Sequence, residues 1–439
     1  MRAAWSPTRL ERYVSAVAES GPRQGDEERD LSRRAPPSSG REVLAAVALL
    51  AAAFAVLSWL HGEIAFPSNA QTRINLRVIA QPDYAQAMAD YRRWPPAYVS
   101  VLWVAKRAGV DHLRVNEILF CAGLALVWWA SRRLVPGVHP AFPTAAYAVA
   151  NVHLRMTSWA GAEPLFVPLM LLLLLALLGY CRERSLPRLA LLAAAAAALC
   201  LTRYFAVFWL LPVASLNVLW GPGALRRRLV HTLGFAVTAA APVGAWLFKE
   251  YRRTGFLTGM DRFSPRAHRD ETDLLHNLAY SVKSILYDLL SPGREATHVA
   301  MREPWPPGVT DVVIPMLVFA VAAGAGWLVW RRRERVAVTR ESLRRALQGG
   351  AGLTFQLFAG YLIALIGVWT LGNNDPIYGR FLYPSYLLLI WLAFMLYVRV
   401  KDDAAAAWAM RGMLALFVAV QVYRSAERLS TPSWMQTPL

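Results

Sequence analysis

The chain has little of what soluble enzymes and secreted scaffolds depend on. Only 17% of its 439 residues are charged, well under the roughly one quarter usual for soluble domains. Its three cysteines, Cys121, Cys181 and Cys200, fall in or at the ends of apolar stretches with no metal-like spacing, which argues against a disulfide framework. There is no HExxH, no P-loop and no GxSxG, so zinc-protease, nucleotide-hydrolysing and serine-hydrolase readings have no foothold. No internal repeat is visible. Residues 1–40 are rich in Arg, Ser and Pro and lack the apolar core of a cleaved signal, so they read as a largely disordered cytoplasmic tail. Acids are scarce as well: 29 Asp and Glu stand against 47 Lys and Arg, a net charge of +18. In a chain of this composition the excess is first a question of membrane sidedness, not of nucleic acid, and no nucleic-acid partner is expected.

What is abundant is apolar length. The chain is 56% hydrophobic with 17 Trp and a mean hydropathy of +0.32. Its repeated runs of about 18–22 apolar residues match a hydrocarbon core of ~30 Å at 1.5 Å per residue. Continuous runs of this kind exclude a β-barrel. The fold class is therefore all-α and polytopic, with about 11 transmembrane helices predicted at 43–60, 115–134, 139–154, 160–180, 186–201, 205–220, 229–248, 311–330, 352–371, 384–399 and 407–423. Arg33, Arg34 and Arg41 precede the first run, so the positive-inside rule places the N-terminus in the cytoplasm. One threading then puts Arg132/Arg133, Arg182/Arg184/Arg188, Arg226–Arg228, Arg331–Arg335 and Arg399/Lys401 on the same inner side. It leaves external loops at 61–114 and 249–310, a membrane domain over 41–424 and a short external tail at 425–439. The location implied is a plasma membrane, most simply a bacterial inner membrane.

The external face nevertheless carries its own arginines, among them Arg92, Arg93, Arg155, Arg203 and Arg380. Arg203 lies between two strongly apolar segments, where insertion scales put a charge at roughly 2.5–3.5 kcal/mol and where such residues are usually paired or functional. Guanidinium groups at the mouth of a bundle suit a phosphate or pyrophosphate. The first external loop holds the densest chemistry, QPDYAQAMADYRRWPPAY at 81–98. Asp83 and Asp90 stand seven apart, two turns on one helical face, and a proline-opened helix follows over 96–108, too short to span and read as interfacial or re-entrant. Simpler readings stand beside these: a solvated connector anchored by Tyr91, Trp94 and Tyr98; Glu163 as a helix cap before Pro164; Arg380 paired with Asp375. His268 and His276 flank acids in the large loop, a possible divalent-metal site whose spacing is no recognised ligand set.

The order of these features resembles the GT-C superfamily of polytopic glycosyltransferases, in particular the bacterial branch related to protein O-mannosyltransferases and the lipid A aminoarabinose transferase. The resemblance rests on Trp94-Pro95-Pro96-Ala97-Tyr98, Ala162-Glu163-Pro164-Leu165-Phe166, Thr202-Arg203-Tyr204, Thr254-Gly255 with Thr258-Gly259, and Arg380-Phe381-Leu382-Tyr383-Pro384. It covers about residues 43–400. The family's early acidic motif is altered: Glu63 is the acid nearest the first span, and Asp83-Tyr84 is the nearest local match.

The resemblance implies a sugar donor on a polyprenyl phosphate, an acceptor glycan, lipid or protein, and inverting single displacement on the non-cytoplasmic face. Asp83 is the first choice of general base, ahead of Glu63 and then Asp90. Arg203 and Arg380, supported by Arg92 or Arg155, would hold the departing phosphate, with Tyr204, Glu163 and Asp375 nearby. Two other readings stay open. A flippase or transporter is expected to show related halves or mid-membrane charges, and a non-catalytic assembly protein is compatible with the irregular first loop.

Overall fold

A computed structural model describes residues 40–63, 70–91, 94–150, 153, 157, 161–258, 275, 278, 281–285, 289, 309–331, 340–371 and 379–430. Two units are distinguished, residues 1–45 and 46–439. The first is described only at 40–45, the opening of helix α1 (Gly40–Glu63).

The second is built, in its described residues, of helices joined by turns, with no strand among them. Three short helices follow α1: α2 (Ala70–Ala80), α3 (Tyr84–Asp90) and α4 (Ala97–Arg107). Then come α5 (His112–Leu134), α6 (Ala141–Val149), α7 (Glu163–Arg182), α8 (Leu186–Thr202), α9 (Phe205–Leu219) and α10 (Leu225–Thr254). The chain continues through α11 (Val309–Arg331), α12 (Arg340–Gln348), α13 (Gly350–Leu371), α14 (Gly379–Val400) and α15 (Ala404–Ser430).

Six helices, α5, α7, α10, α13, α14 and α15, are long and apolar enough to cross a membrane. The architecture is that of an all-helical, multi-pass membrane protein. The other five expected crossings fall on α1, α6, α8, α9 and α11, whose described apolar stretches are shorter. The span expected over 139–154 is not one helix. Helix α6 stops at Val149 and Ala150 turns extended; nine residues reach only ~14 Å. At the break the Tyr147 carbonyl accepts from Ala150 N (3.2 Å) and from His153 Nδ1 (3.1 Å). That satisfaction lets a helix end inside an apolar bundle without an orphaned acceptor. At the other end of the chain, α15 runs to Ser430, past the expected boundary at 424.

Helix α7 lies at the centre because it is apolar all round. Its sequence from Leu165 to Leu178 is almost wholly aliphatic, and it packs against α5, α8, α9, α13 and α14. Lipid is as apolar as leucine, so close packing rather than water exclusion holds such neighbours together. Helix α8 supplies this with alanine: Ala193, Ala195 and Ala196 are buried, and α8 lies against both α7 and α10. Polar side chains inside the bundle are tied across helices. Trp391 Nε1 of α14 donates to Ser131 Oγ of α5 (2.9 Å). Asn217 Nδ2 of α9 donates to Gln356 Oε1 of α13 (2.7 Å), while Gln348 Nε2 of α12 donates to the Asn217 carbonyl (2.9 Å).

Twenty residues of α7 span ~30 Å, and alternating helix directions sort the termini into two ends. Arg132, Arg133, Arg182, Arg184, Arg188, Arg226–Arg228, Arg331 and Arg399 gather at the end where α7 finishes. Glu163, Arg203, Tyr204 and the C-terminus of α10 lie at the other, with α2–α4 beside them.

Candidate functional site

The site grows from two helix breaks. Helix α7 begins without a side-chain cap: Ala162 precedes it, and Pro164 occupies the first turn where a missing N–H costs nothing. That leaves Glu163 in the first turn, 3% exposed. Helix α8 ends at Thr202, whose Oγ1 donates back to the Ala198 carbonyl (2.7 Å). Arg203 then adopts an extended backbone (φ −147°, ψ 122°) before Tyr204 starts α9. The turn projects the Arg203 guanidinium onto Glu163, and Nη2 donates to Oε1 in an ion pair. A Cβ at Gly161 would collide with Glu163 Oε2, so the carboxylate is seated hard against backbone. Glu163 thus stands in the first turn of α7, the place expected for a helix cap, and adds to it a long-range pairing with Arg203.

Aromatic hydroxyls surround this pair. Tyr98 of α4, Tyr361 of α13 and Tyr383 of α14 are buried and within electrostatic reach of Glu163. Tyr98 donates to Asn116 Oδ1 of α5 (2.7 Å), and Asn116 Nδ2 donates to the Thr157 carbonyl (2.8 Å). Tyr204 OH accepts from Trp246 Nε1 of α10 (2.8 Å), and Lys249 sits over the Trp246 ring at 4.7 Å. Burial pushes the hydroxyls of Tyr91 and Tyr98 well above the ordinary tyrosine range; Tyr204 and Tyr98 add to this at Tyr91, and the Asn116 hydrogen bond opposes it at Tyr98. Both therefore stay protonated at neutral pH, and Tyr98 serves as a donor, not a base. Replacing Tyr98 by Phe removes the donor to Asn116, and unfolding in mixed micelles is expected to show a loss of about 1 kcal/mol. An unchanged stability would mean that this hydrogen bond contributes nothing net.

The short helices dock here through the C-terminus of α10. Arg253 donates to the carbonyls of Met88 (3.2 Å) and Tyr91 (3.3 Å) and pairs with buried Glu250 at 3.4 Å. Gly255, at φ +78°, closes α10 in the left-handed conformation that favours glycine. The buried face of α3, Ala87 and Met88 with Tyr91, joins one apolar cluster with Tyr98, Val115 and Ala162, the residue before Glu163. Asp83 heads α3 as its N-cap, accepting from Gln86 N at 2.9 Å, and is exposed.

Of the residues expected at the site, Glu163, Arg203 and Tyr204 are brought together, and Asp83 stands at the head of the helix docked beside them. Glu63 closes α1 and Asp90 closes α3, but their side chains lie outside the described residues. The Arg380 backbone is in the first turn of α14, three residues before Tyr383 and on its face; its side chain is likewise undescribed. Arg92, Arg155 and Asp375 lie outside the described residues, as do His268 and His276. Among the described residues no group of three His, Cys, Asp or Glu is placed to hold a metal.

Sequence reasoning missed the tyrosine surround and two buried acids, Glu250 with Arg253 and Glu117, which pairs with Arg114 at 2.7 Å. A signal existed: Glu117 and Glu250 both lie within long apolar helices, where an acid needs a partner.

No protein-family model matches the chain, and no curated protein is significantly similar to it.

Proposed function

We propose that this chain is a membrane glycosyltransferase that moves a sugar from a polyprenyl-phosphate donor to an acceptor on the non-cytoplasmic face. The observation that carries the reading is the buried Glu163–Arg203 pair, set among tyrosine hydroxyls at the end where the short helices dock. A guanidinium has five N–H donors, and Glu163 takes its Nη2 edge. Glu163 thereby orients Arg203 while the rest of the fork is directed to a lipid phosphate. Such a fixed positive charge stabilises the leaving group as negative charge develops on it, without reorganisation at the moment of transfer. Arg380, and Arg92 or Arg155, would share that charge. Asp83 is the base: an exposed carboxylate that takes the acceptor hydroxyl proton as oxygen attacks the anomeric carbon and the sugar–phosphate bond breaks.

A second reading, a non-catalytic assembly protein, draws on the same pair, because two opposite charges neutralise each other without any ligand. Transfer from radiolabelled polyprenyl-phosphate sugars in membranes separates the two. Transfer abolished by Arg203→Lys, with unfolding unchanged, supports the enzyme, since lysine keeps the charge and loses the fork. Donor binding and transfer that are absent in wild type and variant alike favour the assembly reading.

A further inference from the structure

At the opposite end of α7 two adjoining clefts open, of about 380 and 340 Å³. The first is lined by Arg182, Arg184, Arg227 and Arg228 with His231; the second by Trp220, Gly221, Arg228, Glu341 and Arg344. Pro222 and Gly223 are shared between them. Among the described lining residues five guanidinium groups face one carboxylate, Glu341, which pairs with Arg344 at 2.5 Å. Topology alone asks only for positive charge near the membrane surface; it does not ask for arginines to be set in a cleft.

These are set. Arg184 donates to the carbonyls of Val218 (2.9 Å) and Asn217 (3.2 Å), and its guanidinium lies over the Tyr180 ring at 5.3 Å. Arg228 donates to the Leu219 carbonyl (3.3 Å) and Arg227 to the Arg184 carbonyl (3.3 Å). His231, on the wall, has its Nδ1 2.7 Å from Tyr180 OH behind it. Gly221 lies so close to Arg184 that a Cβ there would fall on the guanidinium. The first turn of α10 opens beside the clefts with no side-chain cap at Ala224, so its N–H groups add partial positive charge. Burial pushes the Arg184 guanidinium down from its ordinary range; Tyr180 and Cys181 oppose this, and Arg344 and Arg228, close by, add a smaller push in the same direction.

We infer that this arginine-lined cleft binds a phosphate-bearing anion, supplied either by a phospholipid head group or by a soluble phosphate. The site is independent of the glycosyl-transfer reading: it lies at the far end of α7 and shares no residue with the Glu163–Arg203 pair.

The test uses the full chain in nanodiscs of phosphatidylcholine alone and with added phosphatidylglycerol, with inorganic pyrophosphate titrated into each and thermal unfolding as readout. Wild type is expected to show a rise in Tm of several degrees from at least one probe. A rise with pyrophosphate in phosphatidylcholine assigns a soluble phosphate. A rise with phosphatidylglycerol, with the pyrophosphate response suppressed, assigns a head group. Arg228→Gln and Arg344→Gln are expected to weaken the response tenfold or more. Arg188→Gln, whose arginine pairs with Glu183 at 2.7 Å outside the cleft lining, is expected to leave it intact. Gly221→Ala removes no charge but displaces Arg184, and it too is expected to weaken binding severalfold. No shift from either probe overturns the proposal. So does an equal loss in Arg188→Gln and Arg228→Gln together with none in Gly221→Ala, because that pattern reports net charge and not a built site.

Discussion

Arg203→Gln is expected to destabilise the folded protein by about 3 kcal/mol, the lower end of the cost of breaking a buried ion pair. The reason lies in what remains: Glu163, 3% exposed and held against Gly161, keeps a charge with its nearest counter-ion gone. The N-terminal dipole of α7 offsets only about 0.5 kcal/mol of that. Arg203 is itself 18% exposed at its side chain, which is why the lower end applies. The double variant Glu163→Gln with Arg203→Gln is expected to regain most of the loss, since two neutral amides of similar volume can face each other. Unfolding in mixed micelles measures both. If the two single losses simply add in the double variant, the side chains are not energetically coupled and the core of the site description fails. Transfer should fall further than stability accounts for, by roughly 10²–10³-fold, the usual effect of removing one preorganised charge donor.

Asp83→Asn is the second large effect, and its value is that it separates two roles of one carboxylate. Asp83 caps α3 through Gln86 N, and asparagine caps a helix as well as aspartate does. Stability should therefore hold within a few tenths of a kcal/mol, whereas Asp83→Ala should lose about 1 kcal/mol with the cap. Asparagine cannot accept the acceptor's proton, so transfer is expected to fall roughly 10²–10⁴-fold in both variants. A structural Asp83 predicts the opposite ranking: Ala harmful, Asn silent in every assay.

How far the sequence reaches is clear from particular elements. The apolar runs were legible because length and composition alone decide them; α5, α7, α10, α13, α14 and α15 follow directly. So were the arginines that gather at one end, since alternating spans sort them. The break at Ala150 was not legible. It depends on His153 and Ala150 N reaching the Tyr147 carbonyl, a contact that no hydropathy window registers. Glu163 and Arg203 were each visible as polar residues beside apolar runs, but their pairing across forty residues follows from α7 and α8 being antiparallel neighbours. Tyr98 and Tyr383 were visible in the sequence only as members of motifs, and Tyr361 as an ordinary aromatic. Only packing brings them within electrostatic reach of a buried carboxylate.

The most direct test of the central claim is transfer from a panel of radiolabelled polyprenyl-phosphate sugars in membranes, comparing wild type with Asp83→Asn, Glu63→Gln and Asp90→Asn at matched expression. Transfer is expected in wild type, Glu63→Gln and Asp90→Asn, and its loss in Asp83→Asn. Equal transfer in all four proteins would contradict the assignment of Asp83 as base, and wild-type protein that binds the lipid donor yet transfers no sugar to any acceptor would contradict the enzyme itself.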